Sequence, residues 1–277
     1  MTMAAALHAR KVAFIGGGAM GEAIIKGITA AGLLPAERVS VGAHRAERAE
    51  YLHKTYGVTG LVDNCEAVRE ADLVILAIKP QMVDTALTPD VAAALKKDAT
   101  VLSIMGSVTT ARVAGLFPGH AVIRTMPNTP LAVGAGMTAI APGEGVRAEA
   151  LEDAETIFGS CGEITVIQEK DIEAVTAVSG CGPGYVYILI DALADAGVMA
   201  GLPRATAIKL AAQTFAGSGR MVLETGLHPD VLRDQVTSPG GTTIAGIHAL
   251  ENRGVRGAMY DAVQAVLDRS EEIKGNK

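Results

Sequence analysis

The stretch "KVAFIGGGAMGEAI", Lys11 to Ile24, decides how the chain folds. Its first residues are a short apolar run of the kind that builds a buried strand, and a helical pattern starts just after the glycines. Between the two stand Gly16, Gly18 and Gly21 in G-x-G-x-x-G spacing. The first glycine permits a tight turn, the second lets the backbone approach a pyrophosphate, and the third lets helix and strand pack closely. Alone the pattern is weak. Between a strand and a helix, at the head of an alternating series, it is specific for a dinucleotide.

That series runs from Lys11 to about Ile167. "RVSVGA", "DLVILAI", "TVLSIM", "AVIRTM" and "EITVI" are further runs of strand length and composition, separated by helical stretches. Such alternation predicts a doubly wound parallel sheet. After about Glu169 the rhythm changes to helices alone, over Asp171–Ala200, Pro203–Thr225, Pro229–Val236, Thr242–Asn252 and Val255–Ile273. The expected division is therefore a dinucleotide-binding domain over residues 1–168 and an all-helical domain over residues 169–277.

Which dinucleotide binds depends on the second strand. In NAD-binding forms that strand ends in Asp or Glu, which takes the ribose 2′-hydroxyl. Here "RVSVGAHRAER" places no carboxylate at the strand end, and His44, Arg45 and Arg48 follow. A cationic loop suits a 2′-phosphate, so NADP(H) is favoured over NAD(H). The other reading makes Arg48 a solvated charge at a helix start and His44 a surface residue.

Composition narrows the rest. Of 277 residues 49% are hydrophobic but only 3% aromatic, with no Trp, so the core must come from Ala, Val, Ile and Leu. A net charge of −6 without a basic tail argues against nucleic acid as a partner. Cys65, Cys161 and Cys181 lie far apart, offering neither a disulfide framework nor a metal site, which suits a reducing cytoplasm. The opening "MTMAAALHARK" lacks the apolar core of a signal peptide. The most apolar region, Ala174 to Ile190, is broken by "GCGPG" and followed by Asp191 and Asp195, unlike a membrane span.

Between Glu173 and Arg204 the only charges are Asp191 and Asp195. A helix so apolar must be covered on nearly every side, either by a second subunit or by its own helical neighbours. Between Asp171 and Leu202 there is also no Lys and no His. Alcohol oxidation by a nicotinamide enzyme needs such a group to take the hydroxyl proton. Reduction of a protonated imine does not. The loop "DQVTSPGGTTIAGI", Asp234 to Ile247, adds an array of N–H groups and hydroxyls where a helix begins, a setting that favours an anion.

At this point "IGGGAMGEAI", "LAIKPQ", "RTMPNTPLAVGAGMT", "AVSGCGPGYVYILIDALADAG" and "VTSPGGTTIAGI" together resemble pyrroline-5-carboxylate reductase nearly end to end. The resemblance implies a Rossmann domain followed by an intertwined all-helical dimerisation domain, with dimers often assembled into decamers. It implies NAD(P)H-dependent reduction of a cyclic imino acid, 1-pyrroline-5-carboxylate, to L-proline, with no metal. It places Gly16, Gly18, Ala19, Met20 and Gly21 on the pyrophosphate, and Asn64 at the adenosine end. Ala77, Ile78, Lys79 and Pro80 would follow the cofactor toward the nicotinamide, which Asn128 would border. Thr176 would hydrogen-bond the imine nitrogen, and Ser238, Gly240, Gly241, Thr242 and Thr243 would hold the substrate carboxylate. Capping of the helix by Thr242 or Thr237 uses the same atoms and stays open.

Cys181 and Gly184 replace a serine and an alanine usual in the resembled motif. "SIMGSVT", Ser103 to Thr109, stands where the family commonly reads "SIAAGVT". Facing the active site, Met105 would narrow the pocket. That keeps a reductase of another cyclic imino acid as a rival, ahead of a β-hydroxyacid dehydrogenase and of a non-catalytic NADPH-binding sensor.

Overall fold

The computed structural model describes residues 7 and 11–275. The N-terminal residues read above against a signal peptide lie almost wholly outside them. The described residues up to Gly180, with those from Glu272, form one compact unit, and Cys181–Glu271 form another.

In the first unit the strands are β1 (Val12–Ile15), β2 (Val39–Gly42), β3 (Thr59–Leu61), β4 (Leu73–Leu76), β5 (Thr100–Ser103), β6 (Val122–Pro127), β7 (Gly136–Pro142) and β8 (Gly162–Val166). Helices α1 (Ala19–Ala30), α2 (Ala46–Tyr56), α3 (Asn64–Val68), α4 (Val83–Ala86), α5 (Pro89–Ala94), α6 (Thr110–Leu116), α7 (Ala148–Gly159) and α8 (Ile172–Val175) connect or follow them. The sheet order is β3-β2-β1-β4-β5-β6-β7-β8. Its first six strands follow the order typical of dinucleotide-binding sheets.

Alternation along each strand covers both faces. Val12 and Phe14 join one core with Ile24, Val41, Ile75, Leu102 and Phe158. Ala13 and Ile15 join the other with Val74, Leu76, Val101 and Phe117. Period-two side-chain geometry thus makes two apolar faces from one run, and both need helices over them.

The expected all-parallel sheet is corrected at one edge. β6 pairs antiparallel with β7, in the register Thr125 to Ile140, whereas the other neighbours are parallel. The β7 sequence "GMTAIAP" begins with glycine and ends with proline, and so carries little strand signal. The short β3 escaped for want of length.

The second unit is helical: α9 (Gly182–Met199), α10 (Arg204–Thr225), α11 (Pro229–Gln235), α12 (Thr242–Asn252) and α13 (Val255–Gly275), the last reaching past it. Pro229 starts α11, and Gly226 closes α10 in the left-handed conformation. The expected continuous helix over Asp171–Ala200 is not continuous. A π-helical turn at Thr176–Gly180 separates α8 from α9.

Within α9 only Ala194 is buried, by packing with Ala207 and Ala211 of α10. Tyr187, Ile188 and Met199 are 60%, 70% and 87% exposed, so the helix's own neighbours do not wrap it. By length and composition alone, Glu169–Met199 could cross a membrane, and most of it is unburied.

Candidate active site

The glycine loop divides its three glycines by what surrounds them. Gly16, at φ 105°, donates to the Gly42 carbonyl at 2.9 Å, and a Cβ there would run into the Ala77 carbonyl. A Cβ on Gly21 would lie 2.6 Å from the Gly16 carbonyl oxygen and 3.3 Å from the Ala77 Cβ. Both glycines are required by the protein's own packing. Gly18 is not: a Cβ there meets nothing within 4 Å.

Gly18 is the N-cap of α1 and supplies no side-chain acceptor, and Ala19 beside it is exposed. The first N–H groups of α1, from Ala19, Met20 and Gly21, therefore have no capping side chain. An open surface with unsatisfied donors at the positive end of a helix fits a pyrophosphate.

Around this cradle, Ala77 follows β4 and donates to Ile15 at 2.8 Å, while Ile78 is half-buried. Lys79 is exposed, and Pro80 opens a short 3-10 turn. Asn64 begins α3, donates to the Ala86 carbonyl at 3.2 Å, and sits against Gly42 so closely that a Cβ there would strike its Oδ1. These residues gather at the C-terminal ends of β1, β2 and β4, where open α/β sheets bind ligands.

His44 and Arg45 lie just past β2 and are exposed, with no side-chain hydrogen bond or ion pair among the described residues. Arg45 is the N-cap residue of α2. Arg48 is different. Its Nε donates to the Gly17 carbonyl at 2.6 Å and its guanidinium pairs with Glu22. Tyr56 and Tyr51 also donate to Glu22, at 2.8 and 3.0 Å. Burial acts to raise the Glu22 carboxyl, but Arg48 and the two phenols hold it below its ordinary value. Burial, then the bond to Glu22, pushes the Tyr56 phenol up to about 12. The reading of Arg48 as a free surface charge is thus corrected: it ties α2 to the glycine loop.

Thr176 opens the π-helical turn and donates its hydroxyl proton to the Ile172 carbonyl at 2.8 Å. Asn128 follows β6 and is 9% exposed. Its Oδ1 accepts from Met137 N–H at 2.9 Å, and its Nδ2 donates to the Ser179 carbonyl at 3.2 Å. The side chain expected to border the nicotinamide is therefore engaged at both ends with the protein, three residues beyond Thr176.

Arg124 of β6, whose side chain is 3% exposed, was not singled out in the sequence. It pairs with Glu169 at 3.3 Å and Glu173 at 3.5 Å, and donates to the Gly106 carbonyl, while its Nε is buried without a partner. Glu169 in turn accepts from Thr110 N–H at 2.7 Å. Burial pushes the Glu169 carboxyl up, but the Thr110 N–H and Arg124 hold it below the ordinary value. A buried Arg is itself a signal, but only the fold reveals that it is buried.

Met105 also departs from expectation. It is 2% exposed and packed in the core with Val74 and Val101 rather than standing open beside the loop. The substituted "IMGS" loop meets the rest of the site through the Gly106 carbonyl instead.

In the helical unit, Gly240 adopts φ 67° and Gly241 is the N-cap of α12, with no side-chain cap. Gly241 N–H closes on the Ser238 carbonyl at 3.0 Å. Thr242 and Thr243 are exposed. Thr237 donates to the Arg233 carbonyl at 2.6 Å and so closes α11. Neither threonine caps α12, whose first N–H groups have no side-chain cap. Lys209 is exposed on α10. Among the described residues no cluster of His, Cys, Asp or Glu is placed to hold a metal.

Comparison with known proteins covers both halves. Residues 169–273 match the family described as pyrroline-5-carboxylate reductase dimerisation, and residues 11–107 match one described as NADP oxidoreductase, coenzyme F420-dependent. A pyrroline-5-carboxylate reductase from Synechocystis is 46% identical over 263 residues, covering 95% of this chain and 98% of that protein. The solved pyrroline-5-carboxylate reductase of Coxiella burnetii is 33% identical, with a TM-score of 0.89 over 95% of this chain and 98% of its own. Plasmodium falciparum pyrroline carboxylate reductase, solved with NADP bound, is 32% identical, with a TM-score of 0.83 over 95% and 97%.

Proposed function

The chain belongs to the pyrroline-5-carboxylate reductase family, and from that premise we propose that it reduces the C=N bond of 1-pyrroline-5-carboxylate to give L-proline. The reading is carried by one observation: each compact unit has a glycine-led helix start with no side-chain cap, at Gly18 and at Gly241. One suits a dinucleotide pyrophosphate and the other a substrate carboxylate.

NADPH supplies the hydride when bound. Gly16, Gly18, Ala19, Met20 and Gly21 hold the pyrophosphate. Asn64 serves the adenosine end, and Ala77, Ile78, Lys79 and Pro80 flank the path toward the nicotinamide. His44 and Arg45, whose side chains are exposed, take the 2′-phosphate, and NADH lacks that contact. Ser238, Gly240, Gly241, Thr242 and Thr243 orient the imino acid by its carboxylate.

Thr176 has a more particular task. Its hydroxyl proton is already given to Ile172, which leaves the oxygen lone pairs as acceptors. Such an oxygen accepts from the N–H of a protonated imine and so keeps the proton on nitrogen. The iminium accepts hydride and remains as an amine. No general base is required, in keeping with the lack of Lys and His between Asp171 and Leu202.

We assign residues 1–168 to cofactor binding and 169–277 to substrate binding and self-association. A second copy of the chain covers α9, giving a dimer and, as the resemblance implies, a decamer built from dimers. Neither a membrane nor nucleic acid enters this reading, and the three free cysteines suit the cytoplasm. The deciding experiment mixes the protein with 1-pyrroline-5-carboxylate and NADPH and follows the loss of cofactor absorbance. Turnover of another cyclic imino acid, but not of this one, would favour the rival reductase instead.

A further inference from the structure

Alternate residues of a strand point to one face. On β6 and its extension, three successive members of one such row reach the same short segment. Arg124 pairs with Glu169 and Glu173, which bracket the start of α8. Met126 lies under the π turn, where a Cβ on Gly180 would come within 2.5 Å of its Cε. Asn128 donates to the Ser179 carbonyl. Thr176 sits between these attachments and takes its own hydroxyl direction from Ile172.

A π turn is a rare interruption of a helix and is frequently found at functional sites. The sequence "AVTAVSG" holds weak helix formers, Val175, Thr176, Val178 and Gly180, so local preference fixes neither an ordinary helix nor a wide turn there. The β6 row supplies the tertiary contacts that reach the wide turn. The carbonyl of Gly106, in the loop that departs from the family pattern, is fixed by the same guanidinium.

We propose that Arg124 and Asn128 are positioning residues that clamp the π turn and thereby set the Thr176 hydroxyl. Asn128 acts through Thr176, its amide accepting from Met137 N–H at one end and donating to the Ser179 carbonyl at the other. The kinetic part of this inference rests on the reductase reading; the clamp itself does not.

The test uses the full-length protein and mild variants, because truncating a buried, paired Arg leaves its partners uncompensated and endangers folding. Asn128→Asp keeps size and the acceptor for Met137 N–H but replaces the donor to Ser179 by a repelling oxygen. Glu169→Gln keeps shape and removes one charge from Arg124. In nucleotide-free protein, amide exchange over residues 172–180 should quicken about tenfold or more in Asn128→Asp, and less in Glu169→Gln.

A misplacement on the order of 1 Å costs roughly a hundredfold, so kcat of Asn128→Asp should fall about ten- to a hundredfold while KM for NADPH stays within about twofold. In a Thr176→Val background the same substitution should cost less than about twofold more, because both act at one point. Unchanged exchange would overturn the clamp. Full additivity with Thr176→Val, or a loss confined to KM for NADPH, would overturn the positioning role. A wild-type protein inactive on 1-pyrroline-5-carboxylate would sink the reductase reading, and exchange would still decide the clamp.

Discussion

The two compact units bury their side chains very differently. Up to Gly180 the sheet has cores on both faces, with Phe14, Phe117 and Phe158 fully buried. From Cys181 to Glu271 the buried apolar residues among those described are three alanines, Ala194, Ala207 and Ala211. Yet the second unit has the longer helices and the more apolar central one. Regular secondary structure is therefore no measure of self-sufficiency: most helical stability comes from packing an apolar face, and α9 has most of its face unpacked. The sheet unit is complete within one chain, whereas the helical unit, which matches a dimerisation family, leaves apolar side chains such as Ile188 and Leu223 open.

The sharpest way to break this contrast is to charge the uncovered helix. Ile188→Asp, at a site 70% exposed in the single chain, should change little if that face stays in water. If a second copy covers it, the buried charge costs several kcal/mol or more, and the oligomer is lost. Light scattering should then show smaller particles. Two melting steps should replace one, the helices melting first. A wild-type protein that is monomeric and melts in one step would end the contrast.

A second pair of substitutions sharpens it within the sheet unit. Gly21→Ala forces a contact of 2.6 Å with backbone and should cost about 1–3 kcal/mol in stability by overpacking. Gly18→Ala meets nothing, so its melting temperature should barely move while its KM for NADPH rises. Thermal melts and cofactor titration separate the two. Equal effects on both readouts would remove the case for Gly18 as ligand space.

Each unit's anion site can then be tested against the other's. Arg45→Ala should raise KM for NADPH about tenfold or more and leave NADH alone, since a hydrogen bond to a charged group contributes about 1.5–3 kcal/mol. Thr243→Val should do the same for the imino acid and spare NADPH. If both variants shift both ligands alike, the division of labour is wrong.

The smallest effect concerns alkali. The Tyr56 pKa is raised in the folded protein, so its bond to Glu22 stabilises fully below the ordinary phenol value near 10.0 and is lost as pH climbs through about 12. Wild type and Tyr56→Phe should differ slightly in melting temperature at neutral pH, and the gap should close across that interval. Ultraviolet difference titration should show one late-ionising phenol missing in the variant.

What was legible in the sequence follows from how local its causes are. The glycine loop could be read because its turn, helix start and close packing occupy six successive residues, Gly16 to Gly21. So could the helical half, whose ends carry Pro229 and Gly226. β7 was missed because its sequence resembles a loop and only pairing with β6 makes it a strand. The π turn was read as plain helix because the contacts that reach it come from β6, some fifty residues earlier, between Arg124 and Asn128. Met105 was placed at the pocket by its position after β5, but its side chain points into the core. Arg48 looked free because its partners, Gly17 and Glu22, belong to another element.

The sparse burial of the helical unit has a consequence in time as well as in space. Synthesis proceeds from the N-terminus at about 5–20 residues per second, and domains fold as they emerge. The sheet can close while the helices are still being made. The helices, once released, expose Tyr187, Ile188 and Leu223. If a second copy covers them, their maturation is a second-order process, set by how many copies are nearby, and crowded production of the lone chain invites aggregation before assembly. In that case, clustered ribosomes on one message would give each new helix its partner soonest.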